Sequence, residues 1–391
     1  MSFGSVKDAS VTSRPVAEPS KWVSVDAAAL RHNLGAVRQH LSSGGAGEKE
    51  PAVIAVVKAD AYGHGMARAA QEFVAAGASM LAVTTAEEAL DLCASGLTAP
   101  VLVFLPPPTP ALPDLIAADI TVTVADASDI DRTQAAAAGI GRIAAIHLKV
   151  DSGMGRLGVL PGSAVAVAQS IASAPNLKLA GVYTHFARAL DPDGAPTRRQ
   201  FDTFRQVLDG MEKAGIDPGM RHCANSAAVL LDRAYWLDAV RPGTILYGQY
   251  PAGHLPKTLA LRDSWKLQVR VASVREVPAG SAIGYGGEFV TKRTTRLAIL
   301  PIGYSDGFTV APASVNSGMR GVKSLLASLR PGHSGPTVTV RDRKAPVVGR
   351  VAMQLTSIDV TEIPGVEVGD IVTVPARRLM TSSRIPRIYS E

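Results

Sequence analysis

Cysteine is almost absent from this 391-residue chain: Cys93 and Cys223 are the only two, far apart and without CxxC spacing. Neither a disulfide framework nor a structural zinc site is indicated, and the chain reads as a cytoplasmic protein with no resident metal. No run approaches the roughly 18 consecutive apolar residues of a membrane span, and the first twenty residues lack the apolar stretch of a secretory signal. No membrane partner is expected, and residues 1–20 read as a disordered tail. Charge is sparse at 19%, and the net +6 comes from scattered Lys and Arg with no basic run interleaved with aromatics, which argues against nucleic acid. That balance suits small anionic ligands equally well. Aromatics are also few, at 5%, so Val, Ala, Leu and Ile must fill the core implied by 47% hydrophobic content.

What is present is an alternation of short apolar runs with Ala-rich helical stretches. The runs are "AVIAVV" (52–57), "MLAV" (80–83), "VLVF" (101–104), "ITVTV" (120–124), "IHLKV" (146–150), "LAGVYT" (179–184), "MRHCA" (220–224) and "TILYG" (244–248). Segments between them, such as "MARAAQEFVAAGA", carry helical periodicity ending at Gly, the pattern of repeated βα units with buried parallel strands. Eight units in this length favour a (β/α)8 TIM-type barrel, expected over 21–262. After residue 262 the texture changes to short alternating strands with Gly and Pro turns, so 263–391 reads as a mostly β C-terminal domain. The early "WVSVD" (22–26) is a candidate strand partner for that domain, and 42–50 and 310–336 read as long loops.

In such a barrel the chemistry belongs at the C-terminal ends of the strands. The unusual polar residues fall there: Lys58 in "VVKADAYGHG", Lys149 to Arg156 in "KVDSGMGR", His185 in "YTHFA", Asn225 and Ser226 in "ANSAA", and Arg241, Gly243 and Thr244 in "RPGT". The loops after strands seven and eight are the recurrent phosphate site of these barrels. A lysine at the end of an apolar strand is costly to bury as an ammonium, and its neutral amine is the form that condenses with an aldehyde. Lysine beside a phosphate site suggests pyridoxal 5'-phosphate.

Together with "GVYTHFA", "VRPGTILYG", "IGYGGEF", "LPIGYSDGF", "VVGRVAM" and "RIPRIY", these motifs run in order along the chain, which resembles the alanine racemase family of fold-type III pyridoxal-phosphate enzymes. The resemblance implies a barrel followed by a β domain, and a two-base racemisation of alanine. It implies that Lys58 anchors the cofactor and acts as one base, with Tyr285 of the partner subunit as the other. It places Tyr62 near the phosphate, Arg241 against the pyridine nitrogen and His185 beside the ring. Asn225, Ser226, Gly243 and Thr244 would help hold cofactor and phosphate. Arg156 would meet the ring hydroxyl and the substrate carboxylate, oriented by Lys149, which many members carry carbamylated. Tyr304 and Met353 would reach the barrel mouth of the other subunit, which implies a homodimer with shared active sites.

Racemisation must remove a proton from one face and return one to the other, so two bases on opposite sides are required. A tyrosine of ordinary pKa near 10 is a poor base until nearby cations stabilise its phenolate. The chain departs from the family pattern at Ala352 and Gln354, which flank Met353 where Cys-Met-Asp is usual, and at Pro375, where a phosphate-contacting tyrosine is expected. The rival readings are a racemase of broader or different specificity and a fold-type III amino-acid decarboxylase.

Overall fold

The computed structural model describes residues 18–42, 49–310 and 336–391. Most of the expected tail and most of the two long loops lie outside the described residues. The chain divides into two compact units: residues 25–265 with 389–391, and residues 266–388 with the described residues before Val25.

The first unit is a closed barrel of eight parallel strands: β2 (Ala52–Val56), β3 (Met80–Val83), β4 (Val101–Val103), β5 (Thr121–Val124), β6 (Ala144–Lys149), β7 (Leu177–Tyr183), β8 (Met220–Asn225) and β9 (Ala239–Arg241). Every residue of β3, β4, β5 and β9 is buried, as strands covered by helices outside and side chains inside must be. Ile54, Val56, Met80, Ala82, Leu102 and Ala239 form one interior cluster. Helix Ala27–Ser42 precedes the barrel in sequence yet packs on its wall, where the Asn33 amide donates to the carbonyls of Leu246 and Arg262 at 3.2 and 2.9 Å.

One expected strand is corrected. The eighth strand is Ala239–Arg241, and "TILYG" instead forms a 3-10 turn, Thr244–Tyr247. Ile245, Leu246 and Tyr247 are all buried, so their apolar run mimics a strand, although the Tyr247 hydroxyl donates back to the Val56 carbonyl at 2.9 Å. The correction places Arg241 at the C-terminal end of a barrel strand, with Gly243 and Thr244 in the loop beyond it.

The second unit is built on a nine-stranded sheet. Its strands are β1 (Lys21–Asp26), β10 (Trp265–Arg270), β11 (Ser273–Val277), β14 (Thr295–Leu300), β15 (Thr337–Val340), β16 (Arg343–Val348), β17 (Thr356–Asp359), β18 (Ile371–Val374) and β19 (Arg387–Ser390), in the order β11-β14-β17-β16-β15-β18-β10-β1-β19. β12 (Ala282–Ile283) and β13 (Phe289–Val290) make a separate small hairpin. Among the described residues no helix is long and apolar enough to cross a membrane.

Candidate active site

β2 stops at Val56, and Lys58 begins a turn of opposite hand to ordinary helix: Ala59, Asp60, Ala61 and Tyr62 all have φ between 51° and 55°. The left-handed region costs an L-residue about 1–2 kcal/mol each, so four in succession need support from outside the turn. The Ala59 N–H donates to Glu88 Oε1 at 2.7 Å, and the Met66 N–H to Asp60 Oδ1 at 2.8 Å. His64 bridges the far side, its Nδ1 2.9 Å from the Ala61 carbonyl and its Nε2 3.0 Å from Ser264 Oγ. Gly63 and Gly65 do take positive φ, as a tight exit requires, but the reversal already starts at Ala59.

Lys58 opens into a cavity of about 470 Å³ at the C-terminal end of the barrel. Burial lowers its pKa, reinforced by the Arg156 and Arg241 cations and opposed by Glu88. The neutral amine is thereby made accessible. Lys149, Arg156, His185, Asn225, Ser226, Arg241, Gly243, Thr244 and Tyr62 line the same cavity, and among the described residues no Asp or Glu does.

One wall joins the segments that follow the first and last barrel strands. The Tyr62 ring packs 4.7 Å from that of Tyr247, and its hydroxyl lies only 2.3 Å from where a Cβ on Gly243 would stand. Glycine is required there by close approach. Burial pushes the Tyr62 phenol up to about 12, so it remains a neutral donor. The Gly243 N–H donates to Ser226 Oγ at 2.8 Å, leaving the Ser226 proton for a ligand. Asn225 acts one step back: its Oδ1 accepts from the Ala227 and Ala228 N–H groups, both at 3.1 Å, and caps the short helix that presents Ser226.

Arg241 forms the floor. It is 3% exposed, and burial lowers its pKa to about 10. Its guanidinium donates to the Thr184 carbonyl at 2.7 Å, the Cys223 carbonyl at 3.2 Å and His222 Nδ1 at 2.7 Å. A guanidinium only donates, so His222 carries its proton on Nε2, which lies 2.9 Å from His147 Nδ1. Both imidazoles are held neutral by burial and by Arg241, with His147 lowered to about 3 and His222 well below its ordinary value. Tyr183 stacks on His222 at 4.9 Å and 4°, so the interior chain has little freedom.

Two further loops complete the barrel's contribution. Asp151 accepts from the N–H groups of Gly153, Met154 and Gly155 through Oδ1, and from Arg156 through Oδ2, at 2.7 to 3.2 Å. That carboxylate shapes the loop that carries Arg156. Burial, then the Arg156 and Arg241 cations, bring Lys149 down to about 8. His185, with Nδ1 3.4 Å from Arg241, falls to about 3, chiefly through burial.

Tyr285, Tyr304 and Met353 belong to the second unit and are not among the residues lining this cavity. They are 72%, 49% and 58% exposed. Tyr304 and Met353 sit on two loops stitched together by Tyr304 N–H to the Ala352 carbonyl and Ser305 N–H to the Met353 carbonyl, both at 3.1 Å. Tyr285 heads a separate 3-10 turn, Tyr285–Gly287.

Motif reading singles out neither Glu88, Asp151, His147, His222 nor Tyr183. A signal existed for His147, because it and Lys149 share one strand face as polar residues two apart within an apolar strand. Glu88 carries only a helix-start signal, Thr-x-x-Glu from Thr85. Among the described residues no group of three His, Cys, Asp or Glu could hold a metal ion.

Two family models match: "Alanine racemase, N-terminal domain" over residues 25–251 and "Alanine racemase, C-terminal domain" over 264–385. An alanine racemase of Desulfovibrio desulfuricans is 35% identical over 389 residues, covering 95% of this chain and 98% of that protein. One of Halothermothrix orenii is 38% identical over 357 residues, covering 90% and 86%. Among solved structures, alanine racemase of Clostridium difficile 630 superposes with a TM-score of 0.85 at 29% identity, covering 96% of each chain. That of Bacillus anthracis with bound L-Ala-P gives 0.80 at 30% identity, covering 96% of each.

Proposed function

Since the chain belongs to the alanine racemase family, we propose that it interconverts L- and D-alanine with pyridoxal 5'-phosphate as cofactor. The carrying observation is the convergence, in one cavity, of a lysine biased toward its neutral amine and three further cationic side chains. Such a cavity suits a ligand with both a phosphate and a carboxylate.

The residues fit this cofactor. Lys58 would anchor its aldehyde carbon, and Tyr62, Ser226 and the Gly243–Thr244 turn, where a Cβ would close the space, would hold its phosphate. Arg241 would face the ring nitrogen, with His185 at the ring and Asn225 fixing Ser226. Bound there, the cofactor would withdraw electrons from the substrate's α-carbon and so acidify its proton. Arg241 would moderate that withdrawal, because a buried guanidinium that only donates disfavours protonation of the ring nitrogen. Arg156 would hold the substrate carboxylate, with Lys149 and the Asp151-shaped loop setting its position. The Lys58 amine then takes or returns the α-proton on one face.

The other face needs a second acid-base group, and the cavity's own tyrosines serve poorly: the Tyr62 and Tyr183 phenols are held neutral by burial. We assign that role to the partner subunit's Tyr285, with the partner subunit's Tyr304 and the partner subunit's Met353 closing the mouth. The exposure of these three side chains supports a homodimer with shared sites.

Among the described residues of one chain the lining carries basic side chains and no carboxylate, which disfavours the cationic side chains of lysine, arginine or ornithine, and so the decarboxylase alternative. The test is proton NMR of the cofactor-loaded protein with L-alanine in heavy water, followed by chiral analysis. Exchange of the α-proton with formation of D-alanine is expected, and Lys58→Ala should lower the rate by about a thousandfold. No exchange and no D-alanine would overturn the assignment; carbon dioxide released from lysine, arginine or ornithine would replace it with the decarboxylase.

A further inference from the structure

At the start of the left-handed turn behind Lys58, the N–H of Ala59 finds its acceptor outside the turn. A side chain from the first turn of the next helix, Ala86–Ala94, supplies the acceptor. Glu88 Oε1 accepts from Ala59 at 2.7 Å, while Glu88 Oε2 accepts from Thr84 at 2.8 Å and from Thr85 at 3.3 Å. One carboxylate thus ties the residue next to Lys58 to the loop after β3, and Thr84 of that loop lines the cavity.

The arrangement exceeds what a helix cap needs. Glu88 already completes a capping box with Thr85, whose hydroxyl accepts the Glu88 N–H at 3.3 Å, and that box requires only the oxygen facing Thr85. The second oxygen is spent on Ala59. It bonds to backbone held in a conformation that non-glycine residues rarely adopt, so its loss gives the turn a route to relax.

We propose that Glu88 is a positioning residue that clamps the left-handed turn and thereby aims the Lys58 amine into the cavity. The proposal rests on the reading of Lys58 as the cofactor anchor. Its charge has a second consequence: Glu88 is the carboxylate that favours the ammonium form of Lys58, against burial and two arginines. Without it the amine should lose its proton at lower pH.

The test compares full-length wild-type protein with Glu88→Gln, Glu88→Ala and Thr85→Val. Two quantities are read: the rate at which added pyridoxal 5'-phosphate becomes trapped on Lys58 by borohydride, located by peptide mass, and the pH midpoint of that trapping. Removing the clamp should slow trapping by about tenfold or more, as misaligned reactive groups do, and move the midpoint to lower pH. Glu88→Gln, which keeps one carbonyl oxygen and the side-chain shape, keeps the comparison available if Glu88→Ala does not fold. Thr85→Val breaks the capping box and should lower the melting temperature without moving the midpoint. If Glu88→Gln traps at the wild-type rate with the wild-type midpoint, Glu88 is only a cap and the proposal fails while Lys58 stands. If wild-type protein is not trapped at Lys58 at all, the anchor reading itself fails.

Discussion

At the scale of single residues, the site depends on how closely small groups approach one another. Gly243 was legible as part of a phosphate loop, but its reason for being glycine was not: a Cβ there would meet the Tyr62 hydroxyl, contributed from 181 positions earlier in the chain. Gly243→Ala should therefore destabilise the protein by about 1–3 kcal/mol, as overpacking does, and weaken cofactor binding together with stability. Thermal melts with and without pyridoxal 5'-phosphate check this, and an unchanged cofactor-induced shift would contradict it. Asn225 is a parallel case. Its place in "ANSAA" marks it as a residue that helps hold the cofactor, and the structure adds that its side-chain oxygen caps the helix that presents Ser226.

At the scale of elements, a row of buried histidines makes a pH prediction. His147 on β6 and His222 on β8 are neutral in the folded protein, with His147 near 3 and His222 also far below the ordinary 6.5. Unfolded, both would take up protons below about 6.5. Their depressed values contribute stability that is fully present above that pH and is lost as pH falls toward 3. The melting temperature should decline with acidification through that window, and His147→Gln should make the decline shallower; equal slopes would contradict the assignment. The β2 exit and "TILYG" mark the limit of pattern reading. Apolar runs announce burial, but burial on all sides leaves no periodicity to separate a strand from a 3-10 turn, and nothing in "KADAY" announces a left-handed coil.

At the scale of the whole molecule, the proposed shared sites can be tested by complementation. Lys58→Ala and Tyr285→Phe should each be nearly inactive alone. Dissociated and reassociated together, half of the dimers would be mixed and each of these would hold one intact site, so about a quarter of wild-type activity should return. No recovery, with mixed dimers demonstrated by mass, would place both bases in one chain. The C-terminal residues Tyr285, Tyr304 and Met353 were recognisable as motifs, and their exposure follows from short turns on a unit whose core is packed elsewhere.

The sequence by itself determined the eightfold βα repeat, the change to β texture and the chemical character of the site, because burial periodicity and strand-end polar residues are local properties of a chain. It also carried the family, through motifs in order. Only the tertiary structure decided which strand closes the barrel, why Gly243 faces Tyr62, how Arg241 rests on His222 and His147, and that Glu88 reaches Ala59. Each of these is a contact between segments far apart in sequence, and side chains meeting across a closed barrel leave no period within either segment to announce them.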